Sequence, residues 1–546
     1  MTRKPDCGPV LAQALAAWLR EFPAGTRLGL YGCGSFAQAL LRHDPGALAR
    51  LDVRFIVSRT DGASTWEGFP LVSPEDLAAD PPEHVLLLSA TFEHEMLPRL
   101  RFMPRAAVTT LGEAVEHYGL NRLLALATEG LPERMEAAAR AIRAKLPPDR
   151  KLVLFVASSP PQHLIKIMRE VVKLGYAVAI LVETVKITQN ISLEDYADQG
   201  YFHAWYEADR APSLEFASLE ALLQPYLVHA VAGMWSDEGL SSFMSRAQAP
   251  VIVEYIDIKQ TVFKTDADAI AAMRLAPADY ALEKEATRRV YVGAKGIITK
   301  ESSESTDYLE RLYDGHRPPH RLSFLHYCSS ELAGEEGLEK FSSRNGELHL
   351  IYVAGVTNDP NWHSYPLCYS ILRAGKLLEK QRIHLTVYNA SDSTGQGFED
   401  YVEYSKASPY FTYEFAVPYK ELRSILPRYD CGWFCFDFTE ARENPLFHRA
   451  AMGSKIFAYL ESGLPVLVSP EMANMARFVE ENGIGLVVPY ASLDRLADTL
   501  AAADWDRLRR NVAKAQREWT YERHAPRLGA FYQCVAAGGP SPLDRP

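Results

Sequence analysis

The sequence predicts an α/β protein of three successive parallel-sheet domains, and three observations lead there. Short, wholly apolar runs recur along the chain, each followed by a turn and a stretch of helical periodicity. The runs are apolar on both faces, as strands covered by helices on either side must be. The length, 546 residues, exceeds what one core accommodates at ~100–200 residues per domain.

The composition, 47% hydrophobic and 23% charged, is that of a globular chain rather than a fibrous or low-complexity one. The longest apolar stretches, such as Val85–Leu88 and Gly485–Val488, suit buried strands and fall far short of the ~20 residues that span a bilayer. The opening MTRKPDCGPV has no continuous apolar segment, so the cytoplasm is the expected location. No transmembrane segment is expected, which leaves peripheral contact as the one route to a membrane. A net charge of -11 argues against a nucleic-acid partner, although it allows a local basic pocket for one small diphosphate. The seven cysteines (Cys7, Cys33, Cys328, Cys368, Cys431, Cys435, Cys534) are odd in number, scattered and without a CxxC pair. Reduced thiols are expected, rather than a disulfide framework or a zinc site.

The first domain is expected over residues 1–125. RLGLYGCGSFAQALL reads as strand, glycine turn and helix, LDVRFIVSR as a second strand and HVLLLSA as a later one. A helical linker over 126–150 ends at LPPDR. The second domain, 151–340, opens with the strand KLVLFVA, the loop Ser158–His163 and the helix HLIKIMREVVKLG. Its later strands are YAVAILVE, VHAVAGMW, APVIVEYID and VYVGAKGIITK. The third, 341–535, strings together LHLIYVAG, IHLTVYNA, FTYEFAV, CGWFCFDF, LPVLVSP and GIGLVVP. It closes with helices, and 536–546 is a tail.

Gly32, Gly34 and Ala37 make a partial dinucleotide fingerprint in which alanine replaces the third glycine, giving the first domain a Rossmann-like character. The acid that would hold a ribose is absent, since the second strand ends in Ser58 and Arg59. The segment resembles Rossmann-like domains attached to some sugar acyltransferases and methyltransferases. A structural or recognition role fits it better than NAD chemistry.

The most informative stretch is Gly453–Pro489, GSKIFAYLESGLPVLVSPEMANMARFVEENGIGLVVP. A helix presenting Ile456, Phe457, Tyr459 and Leu460 to the core stops at Gly463, and Pro465 opens a buried strand. At the start of that helix Gly453, Ser454 and Lys455 would face the crevice beyond the strand ends. A diphosphate would be stabilised there, with Lys455 adding charge. Here the chain resembles the C-terminal half of GT-B glycosyltransferases, in which a K-[IL]-F-x-Y-L-x-x-G-x-P-V helix lies along the sugar-nucleotide site. HLIYVAG resembles the first strand and glycine turn of that half, FAVPYKELRSILPRYDCGWFCF its base-contacting loop and following strand, and LEKEATRRVYVGAKGIITKES the last helix and strand of the acceptor half. The resemblance covers about 151–535. It implies three Rossmann-like domains, the last two forming a GT-B pair.

What the resemblance implies is sugar transfer from a nucleotide-sugar to a glycan or protein acceptor, without a metal ion or a bound cofactor. Bacterial surface glycans or flagellin would be typical acceptors of such enzymes. Donor contacts would come from Gly355, Thr357, Asn358 and Val417 as well as Gly453, Ser454 and Lys455, and His363 also follows the Gly355 turn. Ala450 and Ala458 stand where retaining members carry paired glutamates, with Glu440 and Glu443 out of register. Neither the donor nucleotide nor the stereochemical outcome therefore follows from the resemblance, and the oligomeric state is equally unspecified.

Inverting transfer needs a base near the acceptor hydroxyl, and loops at the strand ends of the second domain offer His163 and Asp237, with Glu254 and Asp257 further on. The ordinary reading of each is a cap or a surface charge. Asp266 and Asp268 spell DxD, yet they precede AIAAMR as helix-capping acids do. Two alternatives accompany this reading: a non-catalytic protein that keeps the fold for binding or assembly, and an NAD(P)-dependent sugar-modifying enzyme run by the first domain.

Overall fold

Alternating apolar runs and helices assemble into three sheets in the computed structural model, which describes residues 8–32, 37, 40–41, 44–57, 64–88, 96–110, 113–114, 125–184, 192–232, 237–273, 275–335, 337–357, 365–389, 398–415, 417–418 and 421–539. The chain forms two compact units, Met1–Arg140 with Ala208–Leu222, and Ala141–Glu207 with Leu223–Pro546.

In the first unit the strands β1 (Arg27–Tyr31), β2 (Asp52–Ile56), β3 (Thr65–Trp66), β4 (Phe69–Val72), β5 (His84–Leu87) and β6 (Val108–Thr109) take the order β3-β4-β2-β1-β5-β6. All pairings are parallel except β3 with β4. Leu28, Leu30, Val53 and Phe55 face one core, while Tyr31, Ile56, Val85 and Leu87 face the other. This two-sided burial is why these strands read as unbroken apolar runs. Gly32, directly after β1, has φ +117, a conformation that favours glycine. The positions Cys33, Gly34, Ser58 and Arg59 lie outside the described residues.

The second unit holds two parallel sheets. The first combines β7 (Leu152–Ala157), β8 (Ala177–Val182), β9 (Ala204–Glu207), β10 (Leu227–Ala232), β11 (Val251–Tyr255), β12 (Gly296–Thr299) and β13 (His320–Ser323) in the order β13-β12-β11-β10-β7-β8-β9. The second combines β14 (His349–Val353), β15 (His384–Tyr388), β16 (Phe411–Glu414), β17 (Cys431–Phe434), β18 (Val466–Val468) and β19 (Gly485–Val487) in the order β16-β15-β14-β17-β18-β19. Both orders reverse beside the first strand of their half, which places a crevice at the carboxyl ends of β7 and β14.

Two crossings join these halves, side by side. The Cys328 N–H donates to the Trp519 carbonyl, and the Tyr521 N–H donates to the Cys328 carbonyl, each at 2.9 Å. The last helix, Tyr521–Ala537, then returns to the first half, where Leu528, Phe531, Tyr532 and Val535 enter its core. Ring stacking of Tyr327 on His524 at 4.2 Å strengthens the junction.

Two local expectations change. VYVG does not begin a strand. The helix Pro277–Gly293 runs through it, because Glu283, Ala286, Thr287 and Val290 bury one continuous stripe and the strand starts only at Gly296. His163 is not a loop residue but the second residue of the helix Gln162–Lys173. Asp268 and Thr265 cap each other through backbone N–H groups at 3.1 and 3.2 Å, so the DxD-like acids start a helix, as the sequence suggested.

Candidate functional site

In a parallel sheet all carboxyl ends lie on one edge, so groups on and after β7, β10, β11, β12 and β13 converge. The first of these is Glu254, in β11, which is almost fully buried. Its Oε2 accepts a hydrogen bond from His229 Nε2 at 3.0 Å, and its Oε1 lies 3.2 Å from His163 Nε2 and 3.7 Å from His326 Nε2. Burial alone would raise the Glu254 pKa. The charge and hydrogen-bonding of His163, with the bonds from His229 and His326, outweigh it and hold the carboxyl well below the usual range. His326 is pushed well below the usual imidazole range by burial and by the charge of His163. A single carboxylate thus serves three imidazoles.

The ligating atoms of His163, Glu254 and His326 lie within 4.8 Å of one another, a spacing that would suit a cation. The two imidazoles, however, are stacked face to face at 3.7 Å with their planes 12° apart. A nitrogen lone pair lies in its ring plane, so two parallel rings cannot both aim at one ion unless one turns. The arrangement fits a shared carboxylate better than a metal.

From the second half, Ser454 Oγ shares a hydrogen bond with His326 Nδ1 at 2.8 Å. The next residue, Lys455, opens the helix Lys455–Glu461. Its side chain is exposed to solvent. Desolvation lowers its pKa, the nearby Lys300 lowers it further, and Asp257 opposes both. Lys300, buried after β12, pairs with Asp257 at 3.1 Å. Glu301 beside it accepts from the Ile258 N–H at 3.0 Å, and burial with the charge of Asp257 pushes its carboxyl up to about 7. Lys300 and Lys455 thus set two cations beside the half-buried Asp257, although the whole chain is acidic. At the far end of the same helix, Glu461 forms a buried ion pair with Lys166 of the first half at 2.5 Å and accepts from the Ser329 N–H at 2.7 Å.

The structure thus brings together His163, Ser454 and Lys455 among the residues singled out from sequence. Gly453 packs against Met475 and Phe434, where an added Cβ would come within 3.3 Å of each. Gly355, just past β14, is exposed, and an added Cβ there would meet nothing among the described residues within 4 Å. Thr357 follows it half-buried, and Val417 packs against the core of the second half. Asn358 and His363 lie outside the described residues. Asp237 goes elsewhere. It is fully buried at the start of the helix Glu238–Met244, paired with Lys259 at 2.9 Å, while its own N–H donates to Glu283. Its charge is taken up by Lys259, whose pKa rises because the charges of Asp237 and Glu283 outweigh the effect of burial. That is the chemistry of a structural ion triad, not of a base open to an acceptor.

His229, Lys300 and His326 were not singled out from sequence. His229 and Glu254 had left a signal: each interrupts a wholly apolar strand, and such groups must find partners. His326 lies in an irregular segment whose course only the tertiary structure reveals.

Residues 388–523 match the family described as Glucosyltransferase 3-like, C-terminal domain. No curated protein matches the chain. Among solved structures, it is similar to AviGT4, a glycosyltransferase involved in Avilamycin A biosynthesis, at 12% identity over 71% of this chain and 99% of that one, with a TM-score of 0.42. It is also similar to an alpha,alpha-trehalose-phosphate synthase from Burkholderia xenovorans, at 10% identity over 70% of this chain and 100% of that one, TM-score 0.44. A third is the UDP-GlcNAc 2-epimerase from Neisseria meningitidis, at 12% identity over 69% of this chain and 98% of that one, TM-score 0.39. Among the described residues no helix is long and apolar enough to cross a membrane. The second unit thus has two parallel-sheet halves, as a GT-B fold has, and residues 388–523 of its second half are glucosyltransferase 3-like.

Proposed function

We propose that the crevice transfers a sugar from a nucleotide-sugar to an acceptor hydroxyl, with His163 as the base and Lys455 and Lys300 facing the donor diphosphate. The observation that supports this most is the hydrogen bond from Ser454 to His326, which sets the base cluster of one half beside the lysine turn of the other. The acceptor O–H gives its proton to the His163 imidazole as its oxygen bonds to the anomeric carbon. The bond from that carbon to the diphosphate oxygen breaks, and the diphosphate leaves with the electron pair. Glu254, ionised, stabilises the imidazolium that forms. The lysines stabilise charge that grows on the leaving group, where a desolvated cation acts more strongly than in water.

A glycan or a protein side chain is the acceptor class this reading takes, and the open space beside Gly355 and the Gly453–Lys455 turn form the donor side. The deciding experiment incubates the full chain with UDP-, GDP-, CMP- and dTDP-sugars and follows nucleotide release with and without glycan and peptide acceptors. Release from one nucleotide family, lost in His163→Gln, supports the proposal. Nucleotide binding with no release across the acceptor panel would leave a binding protein in place of an enzyme.

A further inference from the structure

Behind Glu254 the hydrogen-bond chain continues away from the crevice. His229 Nε2 bonds Glu254 Oε2 at 3.0 Å, and His229 Nδ1 lies 2.6 Å from the Tyr532 hydroxyl. All three are buried, and His229 is fully so, stacked on Phe155 at 4.7 Å. Tyr532 belongs to the last helix, Tyr521–Ala537, beyond the 388–523 segment of the family match.

The proton positions follow from donor and acceptor inventory. An ionised carboxylate only accepts, so His229 must present Nε2–H to Glu254. Its Nδ1 is then a lone pair, which the Tyr532 O–H satisfies. The same rule gives His326 an Nε2–H toward Glu254 and an Nδ1 that accepts from Ser454. Once Glu254 takes the Nε2 side of His163 as well, Nδ1 is the nitrogen left to receive a proton. The chain Tyr532–His229–Glu254 therefore has one consistent set of tautomers, and it ends on the group that would titrate.

We infer that Tyr532 and His229 are positioning residues: through Glu254, the C-terminal helix sets the orientation and proton affinity of His163. The inference rests on the proposed role of His163 as base. The titratable and charged groups around this chain are Glu254 on β11, His326 after β13, Lys300 after β12, and Tyr521 with Tyr532 on the last helix. Of these only the Tyr532 hydroxyl reaches His229 Nδ1 within hydrogen-bonding distance among the described residues. In Tyr532→Phe, His229 Nδ1 loses its donor in a buried setting. Without a donor at Nδ1 the ring is less polarised, so its Nε2–H donates more weakly to Glu254. A carboxylate with a weakened donor attracts a proton more strongly, so His163 keeps its proton to higher pH.

The test uses the full chain labelled with 15N-histidine, assigned through His229→Gln and His163→Gln, in wild type and Tyr532→Phe. Thermal melting of each variant checks that it is folded. Expected are a His229 protonated at Nε2 in wild type and in Tyr532→Phe, a weaker Nε2–H to Glu254 bond in the variant, and an upward displacement of the His163 titration. In turnover with whichever nucleotide-sugar is active, the acidic limb of kcat should move up in pH with it while the donor KM stays near wild type. A folded Tyr532→Phe in which the His163 titration is unchanged would overturn the inference, as would a wild-type His229 protonated at Nδ1. If wild type releases no nucleotide from any donor, the base role of His163 fails. The tautomer measurement still decides whether the relay exists.

Discussion

Ser454 and His326, 128 positions apart in sequence and on opposite halves of the second unit, share a 2.8 Å hydrogen bond. His326 reaches back to Glu254, and Ser454 is followed at once by Lys455, so the base cluster and the cationic turn share this one bond. Groups that would handle a leaving diphosphate and an acceptor proton are thereby held in one register.

Lys455→Ala should abolish the stabilisation that a nucleotide-sugar confers. At about 100 times its dissociation constant a ligand of the folded state adds about 2.7 kcal/mol. Thermal melting with a UDP-, GDP-, CMP- and dTDP-sugar panel reads this directly. Lys300→Ala should weaken the shift as well, since its charge sits beside Lys455. A shift produced by NAD(P) alone and unaffected by either change would move ligand binding to the first unit.

Replacing His163 by Gln should lower kcat by about 10²–10⁴-fold while leaving nucleotide binding intact, the range expected when a positioned base is removed. Asp237→Asn should instead act on stability, because it leaves Lys259 with one buried partner fewer. Nucleotide release and calorimetric melting on both variants separate the two roles. Equal losses of turnover in two well-folded variants would contradict this division.

The Lys166–Glu461 pair ties the two halves together with both side chains buried. Lys166→Ala strands the carboxylate of Glu461 and should cost about 3–5 kcal/mol, whereas changing both residues to Met should cost far less. Urea unfolding of single and double variants measures the coupling. Additive losses would show that the pair is not coupled.

Glu301 gives a pH prediction with a defined sign. Its carboxyl is raised from an ordinary 4.5 to about 7, mainly by burial. The folded chain therefore holds this proton more tightly than the unfolded chain. The contribution is present in full below pH 4.5 and fades as pH rises to about 7. Glu301→Gln should flatten this part of the stability curve and be relatively more stable than wild type at pH 8. An unchanged difference between the two across that window would refute the shift.

Gly432, in β17, lies under the ring of Tyr459, where an added Cβ would sit 2.3–2.6 Å from ring atoms. That ring cannot readily retreat, because the Tyr459 hydroxyl accepts from the Val353 N–H at 3.1 Å and donates to the Ile351 carbonyl at 3.2 Å. Gly432→Ala should cost about 1–3 kcal/mol by overpacking and loosen the helix that carries Lys455. A melting temperature equal to wild type would show that the ring moves freely.

The architecture was legible because its cause is local. Strands covered on both faces must be apolar throughout, so VLFVA, AVAILV and LIYV announce themselves, and Gly463 and Gly483, both with positive φ, mark helix ends. The lysine turn was legible for the same reason, since a helix, its glycine stop and the following strand occupy one short segment. VYVG misled because β-branched and aromatic residues suit a strand in isolation, and only the buried stripe begun by Glu283 and Ala286 shows that the helix continues.

The sequence by itself determined the order of strands and helices, their burial on two faces and the Gly453–Lys455 turn, because these depend on neighbours a few residues away. Tertiary structure decided which ionisable groups act together. His163 and Asp237 looked alike as strand-end candidates, yet one meets Glu254 and the other is neutralised by Lys259. The three partners of Glu254 come from three separate segments, and their proton affinities depend on burial and on charges a few ångströms away. Chain folding creates those distances, and sequence spacing does not encode them.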